Sequence, residues 1–294
     1  MSVTIILPAH NEEKIIKKSI ESLLRQSCWN NEIIIILDNC TDSTEQIIND
    51  NFEDELNIKV FKTIDNVHKK AGALNQLFDC YFSKMSNYIL VMDADTVLHH
   101  KAIEEGVKFL DRDKKVGAVC SIAGILKPEK TNLLWYLQNI EYGFGDTSFV
   151  ENKDQVFVCR GMYSMYSKAA LKDILERDFI YDVSSITEDY ELTLELKRLG
   201  YKISSCNRIK AYTDVPATIK EYWVQRVRWM KGGIEDLVRH GFKKYTAKDI
   251  ISSIFYRLLI IIQILFVIQA IQFKAINLFW TFIFLGIYVL NIIM

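Results

Sequence analysis

No two cysteines in this chain stand at CxxC spacing, and no Cys/His set has the spacing of a zinc site. Cys28, Cys40, Cys80, Cys120, Cys159 and Cys206 are scattered. That distribution argues against a disulfide framework and a zinc module, and predicts reduced thiols in a cytosolic domain. An excess of either charge is also lacking: 36 Lys and Arg face 37 Asp and Glu, for a formal net charge of −1. With neither a basic patch nor an acidic tail, nucleic acid is not expected as the main partner. The N-terminus has no basic segment followed by a long apolar run. Strand-like Val3-Thr4-Ile5-Ile6-Leu7 starts almost at once, which predicts no signal peptide and a catalytic part that stays in the cytoplasm. Internal repeats and low-complexity tracts are absent as well. The 294 residues suffice for one α/β domain with a sizeable core plus an appendage.

Strand-like and helix-like segments alternate through the first half. Strands are expected at 3–7, 32–38, 57–63, 88–93 and 116–125, with helices at 12–26, 43–50, 70–84 and 99–110, a pattern of repeated βαβ steps. It predicts an α/β fold with a mostly parallel sheet and helices on both faces. The second half adds an aromatic-rich helix near 132–144, a strand at 156–166, short helices after Lys168 and Thr187, and strands at 201–206 and 209–214. Pro216 then breaks the chain, and 218–240 reads as an amphipathic helix with Tyr222, Trp223, Trp229 and Met230 among basic residues, suited to a membrane surface or a protein core. From Ile250 to Ile271 and from Ala275 to Met294 the sequence is almost wholly apolar, each stretch close to the roughly 20 residues that cross a bilayer. The expectation is a transmembrane helical hairpin, with Arg239, Lys243, Lys244 and Lys248 on the cytoplasmic side and Arg257 either snorkelling to the interface or facing a polar channel. A buried soluble hairpin is the competing account. The chain thus divides into residues 1–215, an interfacial segment 216–249 and a membrane segment 250–294.

Four places carry chemistry. Asp93-Ala94-Asp95 ends the apolar run Tyr88 to Met92, so two carboxylates stand at the mouth of a buried strand, where hard oxygen ligands hold Mg²⁺ or Mn²⁺ against a diphosphate. His68 to Asn75 (HKKAGALN) puts cations and small residues at a helix start, which favours an anion. Thr187-Glu188-Asp189 precedes a helix containing Leu192, Leu194, Leu196 and Leu199; an ordinary capping pattern explains it equally well when taken alone. Gln225 and Arg228 are three apart on one helical face, and Trp229 beside them offers a flat apolar surface.

Together with the opening Pro8-Ala9-His10-Asn11-Glu12-Glu13, these motifs and their order resemble membrane-bound family 2 glycosyltransferases, the relatives of cellulose, chitin and hyaluronan synthases. The resemblance implies a GT-A type catalytic domain and an inverting transferase that uses a nucleotide sugar, most plausibly a UDP-sugar, with Mn²⁺ or Mg²⁺. It further implies that Pro8, Ala9, Asn11, Glu12, Asp38, Lys70, Gly72, Asp93, Asp95 and Arg228 contact the donor. Asp38 would accept from the nucleoside and Arg228 would bind the leaving diphosphate. Asp42 is a weaker nucleoside contact that could equally cap the next helix. Asp95 would be the direct metal ligand, while Asp93 completes the metal site or contacts the ribose. Asp189 would be the general base, and Glu188, Gln225 and Trp229 would face the acceptor, with Trp229 stacking on its sugar. The role of Val156 to Gly161 stays open. Implied partners are a saccharide or lipid-linked acceptor, membrane lipid, and a further copy or membrane subunit; implied placement is the cytoplasmic membrane with the catalytic domain facing the cytoplasm. Transfer of one sugar to a polyprenyl phosphate and a non-catalytic nucleotide-sugar-binding membrane subunit are the alternatives.

Overall fold

The first strand, β1 (Ser2–Ala9), is buried from Val3 to Leu7 on both of its faces, which requires cover above and below the sheet. The computed structural model describes residues 2–27, 30–128, 130–147 and 156–273. After β1 come α1 (Ile16–Leu24), β2 (Asn30–Leu37), α2 (Thr44–Phe52), β3 (Ile58–Lys62), α3 (Lys69–Tyr81), β4 (Tyr88–Val91), β5 (Thr96–Leu98), α4 (Ala102–Arg112) and β6 (Val116–Ile125). The second half contains α5 (Leu133–Thr147), β7 (Ser164–Ser167), α6 (Lys168–Ile174), α7 (Glu188–Arg198), β8 (Lys202–Thr213), α8 (Ile219–His240) and α9 (Ala247–Phe273).

The eight strands form one sheet in the order β3-β2-β1-β4-β7-β6-β8-β5. β1, β2, β3 and β4 pair in parallel, as do β6 and β8; β7 runs antiparallel between β4 and β6, and β5 runs antiparallel to β8. Side-chain alternation along β1 separates two cores. Ile5 and Leu7 join Ile33, Ile35 and Leu90 under α1 and α4, whereas Ile6 joins Ile34, Ile36, Ile89 and Val91 under α3 and α7. The expected α/β sheet covered on both faces is the one observed.

Two expectations about local structure need correction, and one strand, β5, was not expected. The strand expected at 156–166 shrinks to β7, because the backbone before it bonds elsewhere. Val156 N donates to Ile203 O, Cys159 N to the Thr193 hydroxyl, and Gly161 O accepts from Asp93 N. Residues 156–162 are therefore a loop laid across the sheet end. The strands expected at 201–206 and 209–214 are one strand, β8, whose register against β6 jumps from Ser121↔Cys206 to Ile122↔Lys210. β5, at only three residues, is too short to show a periodicity of its own.

The amphipathic helix expected at 218–240 is α8. Its first turn is a capping box: the Thr218 hydroxyl accepts from Glu221 N and the Glu221 carboxylate accepts from Thr218 N. The apolar stretch that begins at Ile250 lies in α9, of which Ala247–Phe266 is long and apolar enough to cross a membrane and is scarcely covered by the rest of the chain. The second span, at 275–294, lies outside the described residues. Two-sided burial of the sheet gives a measurable consequence. Ile5, fully buried, should cost about 2–5 kcal/mol as Ile5→Ala and about 0.5–1.5 kcal/mol as Ile5→Val, read as graded falls in the urea unfolding midpoint.

Candidate active site

The loops that follow β1, β2, β3 and β4 all leave the carboxyl edge of the parallel sheet and open onto a cleft of about 930 Å³, within the range of small-molecule sites. Among the described residues, four of the five non-glycine residues with positive φ stand on or beside these loops: Asn11 (60°), Asn39 (51°), Asp65 (46°) and Lys69 (52°). Backbone in that region is costly for residues with a Cβ and persists where surrounding bonds dictate it. Here Asn11 Oδ1 accepts from Thr41 N at 2.8 Å, and Glu12 N donates to the Thr44 hydroxyl at 2.7 Å, so the first two loops are stapled together. Asn11 thereby shapes the loop and does not itself line the cleft. Asp38, buried at the end of β2, accepts three bonds at Oδ1, from Thr63 at 2.9 Å, Asn66 at 2.8 Å and Asn39 at 3.0 Å. No hydrogen bond among the described residues engages its Oδ2, and Asp38 lines the cleft together with Pro8 and Ala9.

The centre of the cleft is a lysine held among acids. Lys70 Nζ stands 2.5 Å from Asp93 Oδ1 and 3.1 Å from Glu188 Oε1. Burial alone would lower its pKa, but the nearby Asp93, Glu188 and Asp189 carboxylates hold it well above the usual lysine value. Gly161 closes the arrangement. Its N–H donates to Asp189 Oδ2 at 3.1 Å, and its carbonyl accepts from Asp93 N at 3.1 Å. A Cβ at Gly161 would lie 3.0 Å from both Lys70 Nζ and Asp93 Oδ2, so a larger residue would press on the ion pair. The second Asp189 oxygen accepts from Tyr190 N at 2.8 Å. Burial, then repulsion from Glu188, raises the Asp189 pKa to about 6 against the opposing pull of Lys70.

Asp95 sits deeper. Its Oδ1 accepts from Thr213 at 3.1 Å and from Thr96 at 3.3 Å, leaving Oδ2 without a hydrogen bond among the described residues. Burial, followed by the neighbouring Asp93 charge, pushes its pKa up to about 7. Glu12 is likewise raised to about 7, by burial and then by Asp95 and Asp93. Carboxylates crowded in this way, with one oxygen open, fit a divalent cation, and Asp93 and Asp95 are the residues that would hold it. A separate triad, Glu191, Glu195 and His240, has metal-like spacing. Arg177 already fills it, with Nη1 2.7 Å and Nη2 3.0 Å from the two oxygens of Glu191.

α8 supplies the opposite wall through Gln225, Arg228 and Trp229. The helix is pinned to α7 from below. Asp236 Oδ2 accepts from the Thr187 hydroxyl at 2.8 Å and from the Ser185 hydroxyl at 2.9 Å, and Gly232 packs against Thr187 too tightly for any Cβ. Thr187 thus makes no side-chain cap on its own helix; its hydroxyl is used for docking. Arg226 lies between the Tyr222 and Trp229 rings, 4.6 and 4.3 Å from their centroids, and donates to Glu141 of α5 at 2.8 Å. One face of Trp229 therefore rests on a guanidinium.

Of the residues expected at the site, all but Asn11, Asp42 and Gly72 line this cleft; the Asp42 carboxylate accepts instead from Glu13 N and Thr44 N. Gly72 packs instead against Asn66 and His68, where a Cβ would collide with both, so it sets the close approach of α3 to the preceding loop. Asn75 of the same motif holds Tyr181, its side chain bonding both backbone N and O of that residue at 3.0 and 2.7 Å. Sequence reasoning missed Arg226, Glu141 and Asp236, and left Gly161 without a role. The second arginine between Gln225 and Trp229 was the available signal for the first; the others depend on contacts between distant segments.

A family model described as glycosyl transferase family 2 matches residues 4–175. Poly-beta-1,6-N-acetyl-D-glucosamine synthase of Staphylococcus epidermidis is 30% identical over 240 residues, which cover 81% of this chain and 56% of that protein. The protein of the same name from Staphylococcus aureus strain COL is 29% identical over 249 residues, 84% of this chain and 58% of its own length. The chain thus spans little more than half the length of these curated relatives. Among solved structures, mannosyltransferase PcManGT from Pyrobaculum calidifontis in complex with GDP-Man and Mn²⁺ superposes with a TM-score of 0.62 at 17% identity, covering 82% of this chain and 65% of that one. S. aureus TarS 1-349 in complex with UDP-GlcNAc superposes with a TM-score of 0.57 at 18% identity, over 85% and 70%. These likenesses establish a GT-A type fold. With the family model spanning more than half of it and a 30% identical relative aligned over 81% of it, the chain belongs to glycosyltransferase family 2.

Proposed function

We propose that this protein is an inverting glycosyltransferase that moves a sugar, N-acetylglucosamine, from its UDP donor to the hydroxyl of a growing saccharide. The observation that carries the reading is that Gly161 bonds to both halves of the machinery, the Asp93 loop beside Lys70 and the carboxylate of Asp189. In this reading the open Asp38 oxygen accepts from the uracil ring, Lys70 and Arg228 face the diphosphate, and the acceptor sugar lies over Trp229 along a wall that includes Phe157 and Tyr190. The acceptor hydroxyl oxygen attacks the anomeric carbon and its proton passes to Asp189. The bond from that carbon to the phosphate oxygen breaks, UDP leaves, and the configuration inverts with no covalent sugar on the protein. Asp93 and Asp95 would hold Mn²⁺ or Mg²⁺, which would supply charge neutralisation for the diphosphate; this is in keeping with the Mn²⁺ and GDP-Man bound by PcManGT. The N-acetylglucosamine assignment draws on the names of the staphylococcal relatives and on the TarS complex.

The same reading places the protein at the cytoplasmic face of a membrane. Its support is α9 together with exposed apolar residues on α8 (Ile219, Trp223, Val224, Met230) and on α5 (Leu133, Tyr136, Leu137, Ile140). The test is UDP release by membrane-reconstituted protein across a panel of UDP-sugars with Mn²⁺ or Mg²⁺, the labelled product being sized in parallel. Release is expected with UDP-N-acetylglucosamine and a product ladder with it. A single lipid-extractable sugar adduct would shift the acceptor to a polyprenyl phosphate, and UDP binding with no release under any acceptor would favour a non-catalytic subunit.

Two further outcomes belong to Asp189. Asp189→Asn should lower kcat by about 10² to 10⁴ while UDP binding is retained, because a positioned base contributes on that order. A base must be ionised to accept a proton, so kcat of the wild type should rise with pH through about 6, the value to which burial and Glu188 lift this carboxyl. The residual rate of the Asn variant should lack that limb. A wild-type profile flat from pH 5 to 8 would remove Asp189 from the role.

A further inference from the structure

Lys197 of α7 and Asp249 in the first turn of α9 form an ion pair of 2.9 Å with side chains only 4% and 6% exposed. Neither residue lines the cleft. A buried pair of this kind contributes little net stability against an apolar replacement, so its bonding partners are the informative feature. Lys197 Nζ also donates to the Phe157 carbonyl at 3.1 Å. The Phe157 ring stacks on Tyr190, with centroids 4.9 Å apart and planes 15° from parallel, and the Tyr190 hydroxyl donates to Asp249 Oδ2 at 3.5 Å. These four residues close a ring of contacts that joins three separate segments. Tyr190, Leu194 and Leu237 form a small apolar cluster there, with Val158 and Ile250 packed on it.

Two members of the ring are also cleft wall. Phe157 and Tyr190 face the cavity, and Tyr190 N holds a carboxylate oxygen of Asp189. Phe157 begins the loop whose Gly161 carries the contacts to Asp93 and Asp189. The backbone of that loop is irregular, so its position depends on such tertiary bonds more than on a strand ladder.

We propose that Lys197 and Asp249 are positioning residues that couple the start of the apolar helix α9 to the acceptor wall of the cleft, Lys197 holding the Phe157 carbonyl and Asp249 holding the Tyr190 ring. The acceptor side of this statement rests on the functional reading above; the coupling itself does not. In physical terms the seat of α9 sets where Phe157 and Tyr190 stand, and therefore how the acceptor meets Asp189. Donor binding, on the Asp38 side, is left outside the coupling.

The experiment uses the full chain in lipid nanodiscs with two variants, Asp249→Asn and the apolar double Lys197→Met/Asp249→Leu. Amide hydrogen exchange over residues 156–162, the Tm, the UDP Kd and the acceptor KM are measured for each. In Asp249→Asn the loop amides should exchange about tenfold faster and the acceptor KM should rise about tenfold, with the UDP Kd within about twofold of wild type. The double variant should recover the Tm while keeping the fast exchange and the high KM, since apolar packing replaces the pair's stability and not its grip on Phe157. Recovery of all three would make the pair merely structural and overturn the proposal. So would unchanged loop exchange in Asp249→Asn, fast exchange with an unchanged KM, or an equal loss of UDP affinity. Should wild-type protein transfer no sugar with any acceptor, the functional reading falls, and the exchange data still decide the coupling by the same criterion.

Discussion

The arrangement of the cleft depends on one ammonium group among carboxylates. Lys70 meets Asp93 and Glu188 directly and lies near Asp189, while Asp95 and Glu12 crowd the same side. β4 delivers the Asp93 loop and α7 delivers Glu188 and Asp189, and these two elements are far apart in the chain. Like charges from separate elements repel unless a cation or a proton intervenes. Lys70 supplies the permanent part of that compensation. Asp95, which Lys70 offsets only in part, and Glu12 keep raised pKa values, from burial first and then from neighbouring carboxylates, which mark where negative charge is left uncompensated. Separation of the two regions fits a division of labour between leaving-group stabilisation and proton acceptance.

Holding those elements in register takes bonds that no local pattern announces. Gly161 is small enough to pass beside the Lys70–Asp93 pair and still donate to Asp189. Asp236 pulls the Thr187 and Ser185 hydroxyls onto α8, and Gly232 removes the atom that would keep the helices apart. A serine or threonine before a helix ordinarily caps it, and sequence reasoning weighed Thr187 in those terms. Its hydroxyl serves a contact between helices instead, so the acid pair after it begins a helix whose position is set by α8.

That contrast separates what the sequence made legible from what it did not. The parallel half was readable because buried strands such as β1, β2 and β4 are continuous apolar runs followed by helices with period 3.6, and the Asp93 and Asp95 carboxylates end one of those runs. Gln225, Arg228 and Trp229 were readable from their spacing on one helix. The loop at 156–162 was read as a strand because Val156-Phe157-Val158 is as β-prone as any real strand, and propensity does not reveal that its amides are bonded to Ile203 and Thr193. Gly72 was read as a ligand contact because it lies in a motif beside Lys70. Its geometry, and that of Asn75 in the same motif, shows the other requirement such a motif meets, the close fit of α3 against its neighbours.

α8 brings these constraints to one element. Gln225, Arg228, Trp229, Gly232 and Asp236 share one helical face, turned to the cleft and α7, whereas Ile219, Trp223, Val224 and Met230 fall on the other side and are exposed. A single helix therefore carries cleft-wall residues and the contacts to the start of α7 on one face and an apolar surface on the other. The side chain between the two faces, Arg226, packs against Trp229 and reaches Glu141 on α5, whose own exposed leucine, isoleucine and tyrosine residues extend the apolar surface. If that surface enters a lipid interface, the depth and tilt of α8 fix the height of Trp229 above it, because rotation that buries one face must move the other. The orientation of the acceptor would then follow from partitioning of apolar side chains, with no contact between lipid and any residue of the cleft.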